Sequence, residues 1–231
     1  MACHCAECRG RSCLESVPIF SGLSESEQLE IAQITNERHF QKGQLIFSPG
    51  DENHSLYVIH QGQVKLSRIS ESGREQILRI AGPGDFIGEL ALFSRLPAST
   101  QAQALQDSVM CVIDGTRLKA LLVKYPQIAL KVVEELSARL ETAEDMIESL
   151  ALRSVDQRIA QALLQYSADC GADKFDLPIS KGDLAASLGM TQETLSRKLS
   201  AWQVQGLIRQ KGQRGIEILD REALAHLAEL G

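Results

Sequence analysis

Cysteine is the residue type whose placement in this chain most invites chemistry. Four of the six cysteines, Cys3, Cys5, Cys8 and Cys13, crowd into the opening run MACHCAECRGRSC, with His4 among them. Thiolates at C-x2-C spacing are soft donors suited to zinc or to iron–sulfur clusters, and they are equally the groups of thiol–disulfide exchange. His4 is a further candidate donor, although a histidine in such a tail is more often simply solvated. Cys111 and Cys170 are isolated in sequence. By itself, Cys111 within SVMCVID reads as a small buried hydrophobe on a strand. Cys170, beside Gly171, has no evident partner and reads as incidental.

A second concentration of functional groups lies towards the other end. The chain carries a net charge of −6, yet residues 180–215 hold six basic side chains (Lys181, Arg197, Lys198, Arg209, Lys211, Arg214) against two acidic ones (Asp183, Glu193). Lys and Arg release condensed counterions only where they touch a phosphate backbone, so a compact basic end on an acidic body suits local nucleic-acid binding. A merely solvated basic face is the bland alternative.

The elements that must position these groups follow from pattern. A chain of 231 residues with 44% hydrophobic content has room for two modest cores. No run approaches the roughly 18 to 20 apolar residues of a membrane span, and the N-terminus lacks the apolar stretch of a secretory signal. The expected location is the cytoplasm, with no membrane partner, where a structural disulfide framework is disfavoured and metal or redox chemistry favoured. Residues 17–36 read as an approach segment and helix, with Ser24 and Glu27 forming a capping-box pattern. Between residues 40 and 114, short apolar runs (QLIF, SLYVIH, QVKLSRI, EQILRI, SVMCVID) alternate with turn residues, predicting an antiparallel sandwich or roll.

Beyond Pro126 the rhythm changes. Val133, Leu136, Leu140, Ala143, Ile147 and Leu150 recur at alternating intervals of three and four, the a/d seam of a heptad helix that implies a partner helix. A stripe packed on the chain's own β-domain is the competing reading. After a helix over residues 155–168 and the loop DCGADKFDLP comes a helix, a turn centred on Gly189 and a second helix. Leu184, Ala185 and Leu188 form one apolar face, and Thr191 is placed to cap the second helix. That helix would expose Gln192, Glu193, Ser196 and Arg197 and bury Leu195, Leu199 and Trp202. LIRQKGQRGIEIL then reads as two short strands, a wing.

The span from residue 17 to residue 230 resembles the Crp/Fnr family of bacterial transcription regulators. The resemblance rests on VPIFSGLS, FQKGQLIFSPGD, SLYVIHQGQVKL, GPGDFIGELALF and LAASLGMTQETLSRKL, in family order. It implies an α+β architecture: an N-terminal cyclic-nucleotide-binding-type β-roll (a double-stranded jelly roll), a long dimerisation helix and a C-terminal winged helix-turn-helix. The boundaries expected are a Cys-rich segment 1–16, a sensor roll 17–125, a dimerisation helix 126–151 and a DNA-binding domain 152–231. The implied partners are a second copy of the chain across the heptad seam, palindromic double-stranded DNA and RNA polymerase. An enzyme is not expected.

Within that family, members that bind cyclic AMP use a Gly-Glu-Leu turn and, about ten residues on, an Arg-Ser pair for the cyclic phosphate. Gly88, Glu89 and Leu90 match the turn, but Ser99 and Thr100 stand where the Arg-Ser pair belongs. Without the bidentate guanidinium, cyclic AMP is disfavoured as the signal. The cysteines point instead to the Fnr branch, whose oxygen-labile 4Fe-4S cluster takes three clustered N-terminal thiolates and one from a late strand. QALQDSVMCVID resembles that strand and carries Cys111. The resemblance therefore implies Cys5, Cys8, Cys13 and Cys111 as ligands, with Cys3 as a spare, although the spacing from Cys8 to Cys13 is one residue shorter than the branch's pattern. A thiol–disulfide switch and a haem-sensing member of the family are the alternatives.

The recognition helix resembles the same branch through Glu193-x-x-Ser196-Arg197, implying an inverted repeat similar to the Fnr box. Arg bonds bidentately to guanine, and Glu accepts from cytosine. Thr191, Gln192, Glu193, Ser196 and Arg197 are the residues expected at the DNA, with Lys198 and Lys211 on its phosphates.

Overall fold

The computed structural model describes residues 17–229, apart from Asn53 and Arg95. The N-terminal ligands expected above, Cys5, Cys8 and Cys13, and the neighbouring Cys3 and His4, lie outside the described residues. The chain divides into two compact units, one built from the described residues through 70 and from 78–141, the other from 71–77 and from 142 onward.

The first unit opens with a single 3-10 turn, Pro18–Phe20, and helix α1, Glu25–Gln33. The capping box forms: Ser24 Oγ accepts from the Glu27 amide at 3.4 Å, and Glu27 returns by accepting from the Ser24 amide at 2.7 Å. The helix stops earlier than the sequence reading placed it. Strand β1, Thr35–Phe40, begins two residues beyond it, because its backbone groups are taken by a six-residue antiparallel ladder with β8, Ser108–Asp114. The other strands are β2 (Leu45–Phe47), β3 (Ser55–Gln61), β4 (Val64–Ile69), β5 (Glu75–Ala81), β6 (Phe86–Ile87) and β7 (Gln101–Ala104). They form two four-stranded antiparallel sheets, ordered β1-β8-β3-β6 and β2-β7-β4-β5.

The period-two alternation of the strands assigns each residue to one of two cores. Tyr57 and Ile59 of β3 and Met110 and Val112 of β8 point into the sandwich, with Phe40, Phe47, Val64 and Leu66. Their neighbours Leu56, Val58, Cys111 and Ile113 point the other way, into a second apolar layer with Val17, Ile19, Phe20 and Ile31. Helix α2 (Glu89–Ser94), where the sequence suggested only a turn, lends Leu92 to that layer, and α3 (Gly115–Lys124) lends Leu118 and Leu121. Gly115 is required at the start of α3: a Cβ there would stand 2.3 Å from the His54 carbonyl oxygen. Helix α4 runs unbroken from Pro126–Leu152 and anchors itself through Ile128 and Val132.

The second unit begins with α5, Val155–Cys170, capped by a Ser154/Gln157 box and ended by left-handed Gly171. Three residues of the expected loop instead form β9, Lys174–Asp176, followed by α6 (Lys181–Ser187), α7 (Gln192–Val204), β10 (Ile208–Lys211), β11 (Gly215–Ile218) and α8 (Arg221–Glu229). The sheet order is β10-β11-β9, with Phe175 opposite Ile216. The wing is thus three-stranded. Single-residue alternation around one buried aromatic is too short a signal to separate KFD from loop.

Candidate nucleic-acid interface

Helices α6 and α7 form the reading head. Ser180 caps α6 by accepting from the Asp183 amide at 3.0 Å, and Leu184 and Ala185 bury its inner face. The chain then reverses at Gly189, whose φ of +68° is a left-handed conformation that side chains disfavour. Thr191 caps α7, accepting from the Thr194 amide at 3.2 Å. Leu195, Leu199 and Trp202 are buried, as their spacing predicts. Gln192, Glu193 and Arg197 are exposed, and Ser196 is half-buried between them. The amide oxygen of Gln192 lies over Gly182 of α6, where an added Cβ would approach it to 3.1 Å.

The two lysines expected at phosphates are both engaged. Lys198 is half-buried and its Nζ is 2.7 Å from Asp156 Oδ2, which ties α7 to α5. Lys211 Nζ is 3.1 Å from Glu217 Oε2, and Arg209 reaches the same oxygen at 3.2 Å. The hydrogen bond from Lys211 is the main cause holding the Glu217 carboxyl below its ordinary pKa. Sequence reasoning did not single out Glu217. The hairpin register supplies the signal, since it sets Arg209 directly opposite Glu217. Arg214 is exposed in the turn between β10 and β11, and Lys181 donates to Gln210 Oε1 at 2.7 Å, joining α6 to the wing.

On α4 the apolar stripe is largely open. Val133, Leu140 and Ile147 are between 60% and 66% exposed, and Ala143 is exposed with them. The two other members lean on their own chain. Leu136 packs partly against the helix-side layer, and Leu150 lies against the turn at Gly189.

In the roll, Gly88, Glu89, Ser99 and Thr100 line one small cavity of about 20 Å³. That is room for about one water, against the several hundred Å³ of a ligand site. Among the described residues, Arg68 donates to Ser99 Oγ of this cavity at 3.1 Å from an exposed position. The Glu89 carboxylate is held by two arginines. Its Oε1 is 2.9 Å from Arg139 Nη1 of α4 and 3.8 Å from Arg79 Nη2, and the Arg139 guanidinium lies 3.9 Å over the Phe86 ring. Burial, then the charge of Arg139, lowers the pKa of Arg79.

Cys111 is fully buried on the helix-side face of β8. Among the described residues, no three His, Cys, Asp or Glu side chains converge as a metal site. Cys111 does share its layer with Val17, Ile19 and Phe20, the first described residues after the Cys-rich run. No described helix is long and apolar enough to cross a membrane.

Compared with known proteins, residues 37–125 match the cyclic nucleotide-binding domain and residues 157–227 the Crp-like helix-turn-helix domain. The chain is 34% identical to the fumarate and nitrate reduction regulatory protein of Escherichia coli K12, over 98% of this chain and 91% of that protein. It is 32% identical to the probable transcriptional regulator Flp of Lacticaseibacillus casei, over 94% and 98% respectively. Its fold is similar to that of FixK2 from Bradyrhizobium japonicum, with a TM-score of 0.72 at 27% identity, covering 86% of this chain and 99% of that one.

Proposed function

Because the chain belongs to the Crp/Fnr family of DNA-binding transcriptional regulators, we propose that it senses oxygen or redox state through a 4Fe-4S cluster held by Cys5, Cys8, Cys13 and Cys111. The observation that carries this reading is one continuous apolar layer. It contains Cys111, the Val17–Phe20 region that leads out of the Cys-rich run, and Ile128 and Val132 of α4. A thiolate donor in that layer is a soft ligand shielded from water, which suits the group. The other three donors, Cys5, Cys8 and Cys13, lie outside the described residues. When bound, the cluster supplies an oxygen-labile link among four thiolates.

The protein's own side chains supply the transmission. Cys111 packs in the same layer as Ile128 and Val132, and Leu136 packs at its margin one turn further along α4. Tightening the N-terminal segment onto β8 therefore bears directly on the helix that carries Val133, Leu140, Ala143, Ile147 and Leu150. Across that stripe a second copy packs, which sets the separation of the two α7 helices. A switch from 1:99 to 99:1 requires about 5.5 kcal/mol of differential stabilisation, a scale that four metal–thiolate bonds supply and one surface contact does not. The relative named for fumarate and nitrate reduction, two reductions that use acceptors other than oxygen, supports an oxygen-linked signal.

At the DNA, Arg197 takes guanine bidentately, Glu193 accepts from cytosine, and Ser196 meets the intervening base. The half-sites form an inverted repeat similar to the Fnr box, about one helical turn apart. The bound dimer then engages RNA polymerase. The small cavity beside Gly88 and Thr100 favours this reading over a cyclic-nucleotide signal.

The test is anaerobic purification followed by iron and acid-labile sulfide counts, a visible spectrum and a DNA-binding titration, all repeated after air exposure. The expected result is a coloured protein that loses colour and specific binding together. A colourless protein whose binding follows thiol oxidants replaces this reading with a thiol switch, and a haem spectrum replaces it with haem sensing.

A further inference from the structure

A groove of about 570 Å³ opens between the end of α4 and the exposed face of α5, in the second unit. Its polar wall is Arg153, Arg158, Gln161 and Gln165, and its apolar lining includes Leu164 and Leu188. Arg158, Gln161 and Gln165 share one face of α5 because they stand three and four residues apart. The volume lies within the roughly 300 to 1,000 Å³ typical of small-molecule sites.

The charge of Arg158 in this groove is not compensated from within. Arg158 is half-buried, and its Nε is buried without a hydrogen-bond partner. Burial, and secondarily the charge of Arg74, pulls its pKa below the usual arginine value. Among the described residues, no carboxylate stands within ion-pair distance of Arg158, and none lines the groove. The second cation is held in place: Arg153 Nη1 donates to Gln161 Oε1, while its Nη2 is 3.9 Å from the exposed Glu148 carboxylate. A desolvated cation without a counter-charge is costly, and the cost is removed by an anion that meets the guanidinium fork. A phosphoryl group fits best, since its several oxygens can accept from two guanidiniums at once.

We propose that this groove binds a small phosphorylated molecule, with its phosphoryl group on Arg158 and Arg153 and its body over Leu164 and Leu188, between the amides of Gln161 and Gln165. The site is separate from the recognition residues and from the cysteines, and the proposal does not depend on the cluster.

The probe is pyrophosphate, titrated into the full-length protein without DNA at constant ionic strength and followed by amide NMR shifts and calorimetry. Saturable binding is expected, with shifts centred on α5. Arg158→Gln should weaken it at least about tenfold, and Arg158→Lys by less, since charge is kept and the fork is lost. Gln165→Glu, at an exposed position that leaves the core untouched, should also weaken it by placing a carboxylate in the groove. The proposal is overturned by the absence of saturation, by equal binding to wild type, Arg158→Gln and Gln165→Glu, or by citrate binding as tightly as pyrophosphate. It is equally overturned if Arg158→Gln changes only DNA affinity and its salt dependence, which would make the groove a seat for the DNA backbone. Iron content and air sensitivity play no part in these outcomes, so a failed cluster assignment leaves them intact.

Discussion

Replacing Arg139 by methionine tests how firmly the start of α2 is tied to the long helix α4. The Glu89 side chain is 7% exposed and that of Arg139 is 14% exposed, with 2.9 Å between them. Breaking a buried pair by removing one partner costs about 3 to 5 kcal/mol, because the other charge remains without compensation. Arg79 lies 3.8 Å from the same carboxylate oxygen and offsets part of this loss. The lost stacking of the guanidinium on Phe86 adds about 0.5 to 2 kcal/mol. The expected destabilisation is therefore about 3 kcal/mol, or roughly 6 to 12 °C in Tm for a chain of this size. Glu89→Leu combined with Arg139→Met removes both charges, and it should recover at least about 2 kcal/mol relative to the sum of the single variants. Urea unfolding of the four proteins gives the double-mutant cycle. A single Arg139→Met variant within about 0.5 kcal/mol of wild type, or a double variant that loses the full sum, would refute the coupling.

Three further outcomes follow from the reading head and the stripe. Arg197→Ala should relax selectivity at the guanine of each half-site by about 1 to 3 kcal/mol, measured by competition binding against sites substituted at that base. Glu217→Gln releases Arg209 and Lys211 from their shared carboxylate, so affinity for any duplex should rise and the salt dependence should steepen by about one to two counterions. Since the Glu217 pKa is lowered, its ion pairs are complete above the ordinary value of 4.5 and are lost only as pH falls through the lowered one. The difference between variant and wild type should hence be constant around neutral pH. Ile147→Glu puts a charge on a side chain that is 66% exposed in the single chain. Folding should change by no more than about 0.5 kcal/mol, while sedimentation shifts towards monomer at unchanged circular dichroism.

Much of the reading head was legible because its signals are local. A capping threonine, a glycine at the reversal and apolar residues three and four apart act within a few residues of chain, and Thr191, Gly189, Leu195, Leu199 and Trp202 behave accordingly. The same holds for the long helix, whose stripe is open at Val133, Leu140 and Ile147. The short elements were illegible for the opposite reason. β1, β6, β7 and β9 offer two to six residues each, and they are strands only because a ladder partner, distant in sequence in most cases, takes their backbone groups.

What the amino-acid sequence determined by itself was the order of the elements, the family resemblance and the residue types at the recognition surface, all of which depend on near-neighbour chemistry. Tertiary structure alone decided where the charges go. It paired Glu89 with Arg139, bound Lys198 to Asp156 and Lys211 to Glu217, and left Arg158 facing a groove with no carboxylate in its described lining. It also decided that Cys111 shares a layer with Val17 and Val132 rather than with the sandwich interior. The physical reason is that charge pairing acts through space over a few ångströms, and strand facing depends on register. Neither is encoded in spacing along the chain until the fold brings distant segments together.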